Sequence, residues 1–151
     1  MMHCMTVRTV DVSYNAPAPL RPVANSPELA RAVLRNEFAR FDSDVETFVL
    51  LVLNARHAVV GFKRLHVGTG SQCPVDAAKL FRAVLVMGGR GFIVAHNHPS
   101  GDVQPSADDI ALTSRLVAGA RLIGLECLDH IVLTQTDEMS IRATRPSTFE
   151  N

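Results

Sequence analysis

The chain has 151 residues, 47% hydrophobic and 20% charged, with 15 basic against 15 acidic side chains. That length fits one domain with a single core, in which folding removes roughly two thirds of the unfolded chain's surface from water. The apolar fraction excludes a disordered polyampholyte, and a formal charge of zero gives a nucleic acid or other polyanion no overall attraction.

Four of the eight prolines fall between Pro17 and Pro27. Residues 1–25 are therefore expected to be an arm, with a short strand over Val7 to Val12, followed by a proline-rich linker. The domain is expected over residues 26–151. Ser26 offers an N-cap with Pro27 at the first helical position, and Ala30, Val33, Leu34, Phe38 and Phe41 recur at helical spacing, which predicts a helix through Phe41. Asp42-Ser43-Asp44 breaks it. The run from Thr47 to Leu53 is apolar without interruption and predicts a strand covered on both faces. A turn over Asn54 to His57 leads into a second strand, about Ala58 to Val67.

After the Gly68-Thr69-Gly70-Ser71 loop, Ala78, Phe81 and Leu85 indicate a helix from about Val75 to Met87, closed by Gly88-Gly89-Arg90-Gly91. That glycine cluster lacks the lysine and spacing of a phosphate-binding loop. Phe92 to His98 reads as a strand running into Pro99, which cannot continue a central ladder. Asp108 to Ile123 is a second long helix ending near Gly124, Leu125 to Thr134 a strand, and Met139 to Ala143 an edge strand. Helices and strands alternate in both hairpin and crossover connections, so the fold class expected is α/β, a mixed sheet flanked by helices.

Cys4, Cys73 and Cys127 form no CxxC pair, no apolar run approaches the ~20 residues of a membrane span, and Met1 to Met5 has no secretory pattern. A cytoplasmic protein without membrane contact is expected. The six histidines stand out, because imidazole is both the usual neutral-pH proton carrier and the commonest metal ligand. If His96 and His98 end a strand, the two-residue period puts both rings on one face, near enough to share an ion. Asp109, in the first turn of the following helix, offers a third ligand. Two imidazoles and one carboxylate leave a fourth tetrahedral position for water, the arrangement of a hydrolytic zinc site. Ser106 and Asp109 also form a capping box, in which Asp109 reaches back to the helix's own first amide. By residue type alone the cap is the preferred reading, and one carboxylate is not expected to serve both targets fully. Asp108 is expected to be a solvated acid at the helix N-terminus.

The full spacing, His-x-His, seven residues, then Ser-x-x-Asp, resembles the metal-binding motif of the JAMM (MPN+) metallopeptidase superfamily. The wider text, with Glu46 to Asn54, Gly68-Thr69-Gly70, Ala95 to Asp102, Pro105 to Asp109 and Leu128-Asp129-His130-Ile131, resembles the JAB domain of RadC-type proteins. The resemblance covers about residues 26–143. It implies a three-layer α/β/α sandwich of the JAB/MPN type, a fold shared with cytidine deaminases, although the deaminase signature itself is missing. It also implies one Zn2+ held by His96, His98 and Asp109, with Glu46 as general base and Ser106 donating to the oxyanion. The activity implied is hydrolysis of a peptide or isopeptide bond in an unidentified protein or peptide substrate. Two alternatives are a non-catalytic zinc-binding interaction module and a DNA-repair-associated accessory protein, the latter unsupported by the net charge. The sequence departs from RadC-type chains at Val75-Asp76-Ala77, where they usually carry Pro-Arg-Glu. Asp129 and His130 are read first as core or edge residues and alternatively as supports behind a ligand. His3, His57 and His66 are read as background, and Cys73 and Cys127 as buried small hydrophobes.

Overall fold

The computed structural model describes residues 27–68 and 75–150. The expected arm, linker and Val7 to Val12 strand lie outside the described residues, as do His3, Cys4 and Cys73.

Helix α1 spans Pro27–Phe38 and buries Ala30 and Leu34. It stops short of the predicted Phe41. The Phe41 N–H bonds back three residues, to the Phe38 carbonyl at 3.0 Å, and the Phe41 ring meets the Phe38 ring edge-on with centroids 5.6 Å apart. Phe41 repeats the helical spacing because an aromatic contact holds it after the helix has ended. Strand β1, Glu46–Leu53, carries two cores at once. Phe48, Leu50 and Val52 face one, Val49, Leu51 and Leu53 the other, and all six are buried, which is why the run is apolar without a break.

Asn54 makes the hairpin to β2, Val59–Gly68: its side-chain oxygen accepts the N–H groups of Arg56 (2.9 Å) and Ala58 (3.0 Å), while His57 takes a positive φ of 56°. Helix α2, Ala77–Val86, is capped by Asp76, which accepts the N–H groups of Ala78 and Lys79. Strand β3, Gly91–Asn97, follows after Gly89, where a Cβ would collide with Val52 and Val84. Helix α3 runs Ala107–Leu122 and is left through Gly124 at φ 72°. Strand β4 is Glu126–Leu133 and β5 is Glu138–Ser140.

The predicted Met139 to Ala143 edge strand is present as β5 but ends at Ser140, and the remainder is corrected. The Ser140 hydroxyl accepts the Ala143 N–H at 3.0 Å and starts a short helix, α4, Ile141–Thr144. A 3-10 turn, Pro146–Phe149, follows.

The five strands of the described residues form one sheet in the order β2-β1-β3-β4-β5. β3 and β4 are parallel, and the other neighbouring pairs are antiparallel. Side chains of α2 and α3 join Phe92 and Val94 in the core on one face, and α1 covers the other. The result is the expected three-layer α/β/α arrangement around a mixed sheet. Among the described residues, no helix is long and apolar enough to cross a membrane.

Candidate metal centre

Alternation along β3 sends Phe92, Val94 and His96 toward α2 and α3. The ladder runs one residue past the strand, since the His98 N–H donates to the Leu133 carbonyl at 2.8 Å, and only at Pro99 must the chain turn. His98 therefore keeps the phase of His96. Their Nε2 atoms stand 2.8 Å apart, His96 fully buried and His98 half-buried.

Helix α3 brings Asp109 to the same point. Its Oδ1 lies 3.2 Å from His96 Nε2 and its Oδ2 3.7 Å from His98 Nε2. Ligand atoms about 2.0–2.1 Å from a tetrahedral zinc stand about 3.3 Å apart, so these spacings fit one ion. The donor chemistry fits as well. The His98 Nδ1 is 2.7 Å from the Asp102 carbonyl, which can only accept, so Nδ1 carries the hydrogen and Nε2 of the neutral ring is a bare lone pair. That lone pair and an anionic carboxylate converge on one small space, a demand that a cation meets.

The expectation that Asp109 must choose between cap and centre is corrected. Oδ2 accepts both the Ser106 N–H (2.7 Å) and the Ser106 O–H (2.6 Å), while Oδ1 faces His96. The Ser106 Oγ in turn accepts the Asp109 N–H at 3.1 Å, so the capping box is complete. A carboxylate has two oxygens, and the helix start lies beside the strand end, so one group does both. Burial opposes the charge on Asp109, but the adjoining His96 and His98 rings, which hydrogen-bond to it when they also carry a proton on Nε2, outweigh burial and hold the carboxyl well below its usual range. The His98 pKa is raised, chiefly because the ring protonated on Nε2 hydrogen-bonds to Asp109, against the effect of burial. Asp108 is exposed in the first turn of α3, as expected.

Glu46 opens β1. It lies two residues before Phe48, whose register partner is His96, so alternation puts it on the histidine face at the same end of the sheet. Its charge contributes to the raised pKa of His98. The Phe48 ring stacks on His96 with centroids 5.8 Å apart.

His130 is not an ordinary core residue. Its Nε2 lies 2.9 Å from His96 Nδ1, and its Nδ1 lies 2.6 Å from the Thr113 hydroxyl, itself 2.6 Å from the Asp109 carbonyl. His96, Asp109 and His130 can each turn one ligand atom to within 4.8 Å of the others. Thr113 was not singled out in the sequence; its position four residues after Asp109, on the same helical face, is the signal that finds it. Asp129 turns elsewhere, accepting from the His130 N–H (2.7 Å), the Ser140 hydroxyl (2.6 Å) and the Arg142 N–H (3.1 Å). His57 sits in the β1–β2 turn. His66 shares a register row with Phe48 and His96, and its buried Nε2 has no hydrogen-bond partner among the described residues. An open cleft lined by Phe38, Phe41, Asn97, His98, Leu133 and Gln135 lies against the loop that carries His98.

Residues 24–146 match the RadC-like JAB domain. A UPF0758 protein of Cyanothece sp. is 38% identical over 122 residues, covering 81% of this chain and 49% of its own length. One from Acaryochloris marina is 36% identical over 126 residues, 83% of this chain and 51% of its own. One from Desulforudis audaxviator is 34% identical over 126 residues, 83% and 54% respectively. The chain thus spans about half the length of the curated relatives it matches.

Proposed function

Since the chain belongs to the RadC-like JAB domain family, we propose that it is a zinc-dependent hydrolase that cleaves a peptide or isopeptide bond. The observation that carries this reading is the convergence of His96 Nε2, His98 Nε2 and the Asp109 carboxylate at 2.8–3.7 Å. These three residues would hold one zinc ion. When bound, the ion supplies Lewis acidity, which acidifies water and polarises a carbonyl.

The chain's own groups supply the rest. Glu46 is the base: its carboxylate takes a proton from the attacking water and returns it to the departing amine nitrogen. Ser106 has one hydroxyl hydrogen, and that hydrogen rests on Asp109. It therefore holds the carboxylate in place first, and donates to a developing oxyanion only by turning away from it. The neighbouring cleft, with phenylalanine and leucine beside asparagine and glutamine, suits a peptide, which offers apolar side chains and amides together.

Elemental analysis of the purified chain tests the metal: zinc near one per chain is expected, with loss in His96→Ala. Glu46→Gln should keep zinc and lose cleavage of a proteome-derived peptide library read by mass spectrometry. Zinc retained but no peptide cleaved by the unaltered chain would favour the interaction module instead. Loss of metal from Glu46→Gln would make Glu46 a structural or ligating residue.

A further inference from the structure

A histidine ligates through whichever nitrogen lacks its hydrogen, so His96 can offer Nε2 only if something keeps the hydrogen on Nδ1. The groups behind His96 do this by elimination. The Asp109 main-chain carbonyl only accepts, so the single hydrogen of the Thr113 hydroxyl goes to it at 2.6 Å. Toward His130 Nδ1, also at 2.6 Å, the same hydroxyl can then only accept, and Nδ1 of His130 must carry the hydrogen. A neutral imidazole has one N–H, which leaves His130 Nε2 as a lone pair. That lone pair faces His96 Nδ1 at 2.9 Å and takes its hydrogen. His96 Nε2 is thereby bare and points at Asp109 and His98.

We propose that Thr113 and His130 are positioning residues that fix the tautomer of His96, and that His130 is not itself a metal ligand. The inference rests on the proposed role of His96 at the metal centre. The chain of bonds starts and ends on one residue: the Asp109 carbonyl sets the direction, and the Asp109 carboxylate meets the nitrogen that results. Thr113 and His130 are both fully buried, so no water competes for these bonds. His96, Asp109 and His130 can be drawn as a ligand set. Using His130 Nε2 in that way, however, would take from His96 the acceptor that frees its own Nε2.

The test uses the whole chain, 15N-labelled and freed of metal, with two-bond 1H–15N spectra of the imidazole rings and zinc affinity from competition with a chromophoric chelator. His96 and His130 should both show the hydrogen on Nδ1. Thr113→Val, which keeps the shape and removes the hydroxyl, should weaken zinc binding by about 10–100-fold, while Thr113→Ser should restore most of it. Thermal unfolding of the two metal-free variants separates this from loss of fold, since a misfolded valine variant would melt without a cooperative transition; Thr113→Ser then carries the comparison through its spectra. A hydrogen on Nε2 of His130, or valine and wild-type chains with equal zinc affinity, overturns the proposal. Failure of the unaltered chain to bind zinc at all overturns the metal centre itself, whatever the tautomers.

Discussion

Asp109 is the residue on which most depends, because its two carboxylate oxygens are divided between a helix and a pair of histidines. The division makes Ser106 testable. Ser106→Ala removes both the cap and the O–H bond to Asp109, and should lower unfolding free energy by about 1 kcal/mol. Ser106→Gly loses the same O–H bond but only a few tenths of a kcal/mol of capping stability, since glycine is a tolerable N-cap. Comparing the two in urea unfolding and in zinc affinity separates the roles. Equal weakening of zinc binding despite unequal stability is expected, because the lost O–H bond is common to both; zinc affinity that follows stability instead would leave Ser106 as a cap and nothing more. The competition between cap and ligand looked exclusive in the sequence because a residue was counted as one acceptor. Thr113 went unnoticed for a related reason: a threonine inside a helix normally bonds to the carbonyl four residues back, and nothing in its type shows that the far side of the hydroxyl meets a histidine.

Among the elements, β1 and β3 were the most legible and β5 with α4 the least. A strand buried on both faces needs an unbroken apolar run, and Phe48 to Leu53 could hardly be anything else. Met139 to Ala143 carries no such pattern, because what organises it is a buried carboxylate on another strand. Asp129 accepts from the main chain of β4, from the side chain that caps α4 and from the main chain of α4. Burial pushes its pKa up, against those three donors. Asp129→Ala should lower stability by roughly 2–4 kcal/mol, as two buried donors and a part-buried one lose their acceptor together. Asp129→Asn keeps an oxygen for the two N–H groups and should cost less than half of that. Urea unfolding measures both. Equal losses would mean that charge, not acceptor geometry, holds α4 to the sheet.

At the scale of the molecule, the proposed centre draws on distant stretches: Glu46 from β1, His96 and His98 from β3 and the residue after it, Asp109 and Thr113 from α3, and His130 from β4. The sheet order makes this possible by placing β3 between β1 and β4. The spacing of the proposed ligands, which lies within fourteen residues, was legible in the sequence, but not the register that sets His130 behind His96, since β4 pairs with β3 across a crossover and a bulge. An ion bound where α3 meets β3 binds only the folded state, so zinc should raise stability by RT ln(1 + [Zn]/Kd), about 2.7 kcal/mol at a hundredfold excess over Kd. Unfolding with zinc and with chelator measures this increment. It should vanish in His96→Ala. Leu50→Ala, a truncation at a fully buried position of β1, should cost about 2–5 kcal/mol with or without zinc. The zinc increment should survive it, because Leu50 lies in the ladder row of Val94 and offers no ligand atom of its own. An increment that persists in His96→Ala places the stabilising ion elsewhere on the chain, whereas one lost from Leu50→Ala as well means that the ligands need the whole sheet intact before they can close on the metal.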